Sequence, residues 1–97
     1  MPLFVIIGWD GPHGLERRPH VRPRHLEHLH PLERAGRVFI AGPLLADDGK
    51  TPRGSLIVLE AASLDEAREL AARDPYVVEQ VFDRYDVRPF AKVFPEG

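Results

Sequence analysis

The segment VRPRHLEHLHPLERAG, residues 21–36, carries three histidines, His25, His28 and His30, within six positions. Imidazole changes charge near neutral pH and is also a common metal ligand, so proton transfer and metal binding are the two chemistries to weigh. On a helix turning roughly 100° per residue, with His25 as origin, Leu29 falls near +40°, Leu32 near −20° and Val21 near −40°. His28 then lies near about −60° on the flank, and His30 is displaced by about 140°. The three rings do not converge. Only His25 and His28 have a useful i,i+3 spacing, a third ligand would have to come from elsewhere, and no HExxH motif is present. No metal is expected, and His28, His30, His13 and His20 read as solvated surface residues.

His25 is different, because an imidazole in the middle of the apolar stripe must find a hydrogen-bond partner. One reading is a core histidine tied to a backbone carbonyl. The other is a general acid or base held by a carboxylate that fixes its tautomer. Among the aspartates, Asp74 stands out: it follows an amphipathic segment and precedes Pro75, which biases it toward an extended conformation and ends the helix. Tyr76 comes next, with an apolar body and a hydrogen-bonding tip. On local grounds DPY serves equally as a helix-stop turn with Tyr76 packed on the core.

The elements that must position these residues follow from periodicity and breakers. Leu3 to Trp9 is rich in β-branched and aromatic residues and stops at Asp10, Gly11 and Pro12, so it reads as a first strand. Residues 10–20, with two glycines and two prolines, read as an exposed loop. A helix runs from Val21 to Ala35 with Gly36 at the left-handed cap, and Pro31 inside it is expected to kink it on its outer side. RVFIAGPLL reads as a second strand bent at Gly42 and Pro43, DDGKTPRG as a solvated connection, and SLIVLEA as a third strand. Ser63 and Glu66 form a capping box for a second helix reaching about Arg73. DPYVVEQVF reads as a turn plus a short helical piece, and YDVRPFAKVF as a last strand whose Pro89 favours an edge or bulge. The order βαββαβ predicts an α+β ferredoxin-like fold, a four-stranded antiparallel sheet with two main helices on one face. Its uncovered face, apolar in strands such as Phe4 to Ile7 and Leu56 to Leu59, predicts a homodimer, with the two sheets packed face to face.

Composition narrows the function. The chain has 97 residues, enough for one domain spanning residues 1–97 and too few for two. Thirteen basic and fifteen acidic residues are interspersed, which disfavours nucleic acid. There is no cysteine, so disulfides, Cys-ligated zinc and thiol nucleophiles are excluded. The longest apolar run near the start is too short for a membrane span and lacks a basic leader, and a cytoplasmic protein is expected.

VRPRHLEHL, GRVFIAGP, GSLIV, DPYVVEQVF and VRPFAKVF, in this order and spacing, resemble the YCII-related (YciI-like) family over nearly the whole chain. The resemblance implies a dimeric α+β barrel related to muconolactone isomerase-like enzymes and antibiotic-biosynthesis monooxygenase-type domains. It further implies an acid–base dyad at His25 and Asp74, with Arg22, Ser55 and the Gly42–Pro43 turn beside it. The loop LADDGKTPRGS is shorter than in the members most resembled, which bears on the shape of any pocket lid. The expected activity is cofactor-free proton transfer on a small organic substrate, as in isomerisation or dehydrohalogenation. In that scheme Arg22 binds an anionic group and Ser55 or Tyr76 donates to a developing oxyanion. The alternative is a dimeric module that binds a small metabolite without catalysis.

Overall fold

The computed structural model describes residues 1–97. The chain runs β1 (Leu3–Asp10), α1 (Gly14–Arg34), β2 (Val38–Leu45), β3 (Pro52–Glu60), α2 (Leu64–Arg73), α3 (Pro75–Val78) and β4 (Phe82–Phe90). The four strands form one sheet in the order β2-β3-β1-β4, every neighbouring pair antiparallel, with the helices on one face. This is the α+β ferredoxin-like arrangement. No helix is long and apolar enough to cross a membrane.

Register decides which side chains meet the helices. Ile6 stands opposite Ile57 and Val87, and Phe4 opposite Leu59 and Pro89. These residues, apart from Pro89, pack with Leu32 of α1 and with Ala67, Leu70 and Ala71 of α2 in the main core. Leu59, only 1% exposed, is among its most enclosed members, and burying a side chain of this size contributes about 1.5–3 kcal/mol. Val21, Tyr76, Val81 and Phe82 form a second, smaller core beneath the first half of α1. Val5, Ile7 and Leu56 alternate to the uncovered face, where Ile40 and Leu44 of the edge strand β2 are also exposed.

The local signals that define α2 act much as its sequence suggests. The Ser63 hydroxyl accepts from Glu66 N–H at 3.1 Å, but the Glu66 carboxylate reaches past the cap residue to Ala62 N–H at 2.8 Å. That bond, aided by Arg37, holds the Glu66 carboxyl below its ordinary range. At the end of α1, Gly36 has φ +72°, and the amides of Gly36 and Arg37 return to Glu33 and Leu32 at 2.9 Å, a Schellman cap. Pro89 lies on β4, an edge strand as expected.

Three expectations need correcting. Residues 14–20 are not loop but the first turns of α1, although Pro19, Pro23 and Pro31 all lie inside the helix. Tertiary anchoring overrides the local breakers here: Arg18 is buried and bonded to two other elements. Gly14 permits the close entry, since a Cβ there would lie 2.7 Å from both the Asp10 Cβ and the Val81 carbonyl oxygen. β3 begins at Pro52, inside the segment expected to be a connection, because Gly54 and Pro52 pair with Leu44 and Leu45. β4 begins at Phe82 and ends at Phe90, earlier than its alternation suggested, because Phe82 pairs with Asp10 across a register shift.

Candidate functional site

Helix α1 places Arg18, Arg22 and His25 at i, i+4 and i+7, and therefore on one face. That face, with β2, β3 and Tyr76, encloses a cavity of about 550 Å³. Ser55 and Ile57 of β3, and Gly42 and Pro43 of β2, form the opposite wall.

His25 is buried, and its Nδ1 lies 2.7 Å and 3.0 Å from the two carboxylate oxygens of Asp74. An ionised carboxylate only accepts, so Nδ1–H donates, and in the neutral ring Nε2 carries the free lone pair. No buried side-chain nitrogen or oxygen lacks a partner, and Nε2 bonds to no protein group. Nε2 is therefore the nitrogen open to the cavity that His25 lines.

Asp74 owes its position to local chain chemistry. It ends α2 and starts α3, held extended (φ −62°, ψ 127°) ahead of Pro75. Its Oδ1 accepts from Tyr76 N–H at 2.9 Å as the cap of α3. Tyr76 lies flat on His25, ring centroids 3.8 Å apart and planes within 5°. Phe82 supports Tyr76 edge-on at 5.6 Å. Gly8 makes room for that ring, since a Cβ at this position would run into Phe82. Burial pushes the Tyr76 phenol up, with Arg18 and Arg22 opposing, so its hydroxyl remains a donor across the neutral range.

Sequence reasoning did not assign a role to Arg18 or pair it with Asp10. Arg18 donates through Nε and Nη2 to the two Asp10 oxygens at 2.7 and 2.8 Å, a bidentate geometry. Nη2 also donates to the Gly54 carbonyl at 2.8 Å and to the Ser55 hydroxyl at 3.3 Å. The signal that could have found Arg18 was its spacing of seven from His25, hidden because the helix was started at Val21. Ser55 is thus buried at the cavity wall and tied to Arg18, whereas Arg22 is exposed at the rim without an ion-pair partner.

The remaining histidines separate. His28 is half-buried rather than solvated: its Nε2 donates to the Leu70 carbonyl at 2.9 Å and links α1 to α2. His13, His20 and His30 are exposed. No group of three or more His, Asp or Glu side chains converges on one point.

Fold and site together define a ferredoxin-like α+β protein with a buried His–Asp pair beside an apolar cavity. The chain belongs to the YCII-related domain family, whose profile matches residues 2–91. It is 41% identical over 97 residues to protein YciI of Escherichia coli O6:H1, a match covering 95% of this chain and 99% of that one. Among solved structures it is similar to 5-chloro-2-hydroxyhydroquinone dehydrochlorinase (TftG) of Burkholderia phenoliruptrix AC1100 in complex with 2,5-dihydroxybenzoquinone. That likeness has a TM-score of 0.80 and 30% identity, and covers 92% of this chain and 93% of the other. An antibiotic biosynthesis monooxygenase structure, at 13% identity and TM-score 0.56, shares the fold.

Proposed function

We propose that this protein is a small enzyme in which His25 transfers a proton to or from a small organic substrate, with Asp74 orienting the ring and stabilising its cation. The observation that carries this reading is the contact of His25 Nδ1 with the Asp74 carboxylate at 2.7 Å, which favours the Nδ1–H tautomer and leaves the Nε2 lone pair for the cavity. Nε2 takes a proton from an O–H, or from a carbon next to a carbonyl, and the electron pair passes to the substrate oxygen as an enolate or phenolate. Return of the proton at another carbon gives isomerisation. From an enolate with chloride on the β carbon, expulsion of chloride gives elimination directly; from a chlorinated hydroquinone the proton first returns at the chlorine-bearing carbon, and loss of a second hydroxyl proton then expels chloride, with loss of HCl overall. The likeness to a dehydrochlorinase supports the second outcome. Ser55 and Tyr76 supply hydroxyl donors near the developing oxyanion, and Gly42 and Pro43 shape the facing wall. Side chains alone provide this chemistry, so no cofactor is invoked.

The test is chloride release from 5-chloro-2-hydroxyhydroquinone, run beside deuterium exchange of enolisable phenols and ketones in D2O. Native protein is expected to be active, and His25→Ala to lose about 10²–10⁴-fold, the usual contribution of a positioned acid or base. Full activity in His25→Ala removes the imidazole from the mechanism. Native protein that binds these compounds and turns over none of them is a metabolite-binding module instead.

We also infer that two copies pair through the uncovered sheet face. Ile40 and Leu44, 55% and 37% exposed, join Val5, Ile7 and Leu56 in an apolar surface of the kind that marks an interface. Light scattering on the native protein is expected to give twice the chain mass, and Ile40→Glu to give a folded monomer. A native monomer at high concentration refutes the pairing.

A further inference from the structure

The charges around the cavity are unbalanced. Its charged lining side chains are Arg18 and Arg22, with His25 titratable beside them, and no carboxylate lines it. Asp10 and Asp74 stand behind Arg18 and His25, each engaged from the far side. Asp10 neutralises Arg18 overall through the Nε–Nη2 edge, yet of the two only Arg18 lines the cavity. Arg22 has no carboxylate partner.

The donors also differ in freedom. Arg18 is only 7% exposed and is held through Nε and Nη2 by Asp10, the Gly54 carbonyl and Ser55. Its Nη1 makes none of these bonds, and Arg18 also acts as a hydrogen-bond donor toward the Tyr76 hydroxyl that lines the cavity. A guanidinium fixed in this way offers hydrogen bonds at little further entropic cost. Arg22, one turn along the same face, is exposed and free to close on a ligand. Arg18, Arg22 and Tyr76 all line this one cavity. Leu26, Leu29, Ile57, Pro43 and Pro52 make the rest of the lining largely apolar.

We propose that Arg18 and Arg22 form an anion clamp, and that the cavity selects a small organic anion with an apolar body: a phenolate, enolate or carboxylate. The charged oxygen sits between the two guanidiniums, and the apolar body lies against Leu29 and Ile57 with its reacting position toward His25. The inference rests on reading this cavity as the substrate site and adds the substrate's charge and a residue, Arg18, that selects for it. It also explains why Asp10 is buried beside Arg18: it locks the guanidinium without adding negative charge to the lining.

The test compares 2,5-dihydroxybenzoquinone, an acid ionised at neutral pH, with its neutral dimethyl ether, 2,5-dimethoxybenzoquinone, by calorimetry. Native protein is expected to bind the acid at least about tenfold more tightly, with an affinity that falls as salt is added, while the ether shows no salt dependence. Arg22→Gln is expected to lose about five- to tenfold for the acid and nothing for the ether. The double variant Asp10→Asn with Arg18→Gln removes both charges of the buried pair, keeps it polar, and is expected to abolish the remaining preference. Should that double variant fail to fold, Arg22→Gln and the salt dependence still decide the matter. Equal binding of acid and ether by native protein, or binding of neither, overturns the clamp. His25→Ala separates the two readings, because it is expected to retain acid binding while losing chloride release. Native protein that prefers the acid but has no turnover leaves the clamp standing and removes the acid–base role.

Discussion

Replacing Asp74 by Asn changes one oxygen to an NH2 group and should reverse the protonation of a ring it touches. In the native protein Oδ1 accepts from Tyr76 N–H at 2.9 Å, and both carboxylate oxygens face His25 Nδ1 at 2.7 and 3.0 Å. Asn caps helices as well as Asp does, so its single carbonyl oxygen stays with the Tyr76 amide. Its NH2 then points at Nδ1, which can only accept, and the proton of the neutral ring moves to Nε2. The cavity receives an N–H donor where it had a lone pair. The imidazolium also loses the negative charge beside it.

The consequences for stability and for rate differ in size. A hydrogen bond to a charged group contributes about 1.5–3 kcal/mol and a neutral one about 1, so the variant is expected to lose roughly 1 kcal/mol. For a domain of this length that is a fall in Tm of about 4–8 °C. Activity is expected to fall by about 10²–10⁴-fold, far more than partial unfolding explains. Long-range 15N–1H spectra of the neutral ring report the tautomer directly: Nδ1–H in the native protein, Nε2–H in Asp74→Asn. Finding Nε2–H in the native protein, or full activity in a folded Asp74→Asn variant, would refute the dyad.

Three further outcomes follow from other parts of the molecule. Arg18→Met strands the Asp10 carboxylate, whose side chain is 6% exposed, and is expected to cost about 3–5 kcal/mol in urea unfolding, most of it recovered when Asp10→Leu is added; native-like stability of the single variant contradicts the buried pair. Gly14→Ala improves helix propensity but puts a methyl 2.7 Å from the Val81 carbonyl oxygen, and a net loss of about 1–3 kcal/mol is expected in thermal unfolding. Asp48, in the β2–β3 turn, has its carboxyl lowered from 3.8 to about 2 by the Thr51 hydroxyl and by the Thr51 and Lys50 amides. A depressed folded-state value means the stabilisation is full above 3.8 and is lost as pH falls through about 2, so native protein and Asp48→Asn should converge in stability at pH 2 and differ at pH 6.

What could be read from the sequence and what could not divides along contact distance. The Ser63–Glu66 box, the Gly36 cap and the Asp74–Pro75 turn are made by residues within a few positions of one another, and each sits where local chemistry puts it. The angular argument for His25 needed only the helical period, and the residue is buried as that argument required. The start of α1 was illegible for the opposite reason. Gly11, Pro12, Gly14 and Pro19 look like loop, and the forces that keep residues 14–20 helical come from Asp10, Gly54 and Ser55, the last two more than thirty positions away. Losing that turn hid Arg18, and with it the charge of the cavity. His28 was misjudged similarly, since its partner is a carbonyl on another helix, Leu70.

That His25 meets a carboxylate rather than a backbone carbonyl follows from what happens between α2 and α3. A chain that ends one helix and begins another with a single residue between them needs that residue's side chain to cap the second, and Asp before Pro meets both demands. The cap uses one lone pair of Asp74. The others remain, buried and negative, and a carboxylate 3% exposed requires further donors. His25 is the donor that α1 brings across, and Tyr76, held by the same cap, is the surface on which its ring lies flat. The carboxylate therefore caps α3 and holds the His25 ring at the same time. The same logic applies two turns earlier on α1, where Asp10, the last residue of β1, locks Arg18. In both places an aspartate at the end of a regular element fixes a cationic or titratable side chain of α1, so that Arg18 and His25 line the cavity while neither carboxylate does.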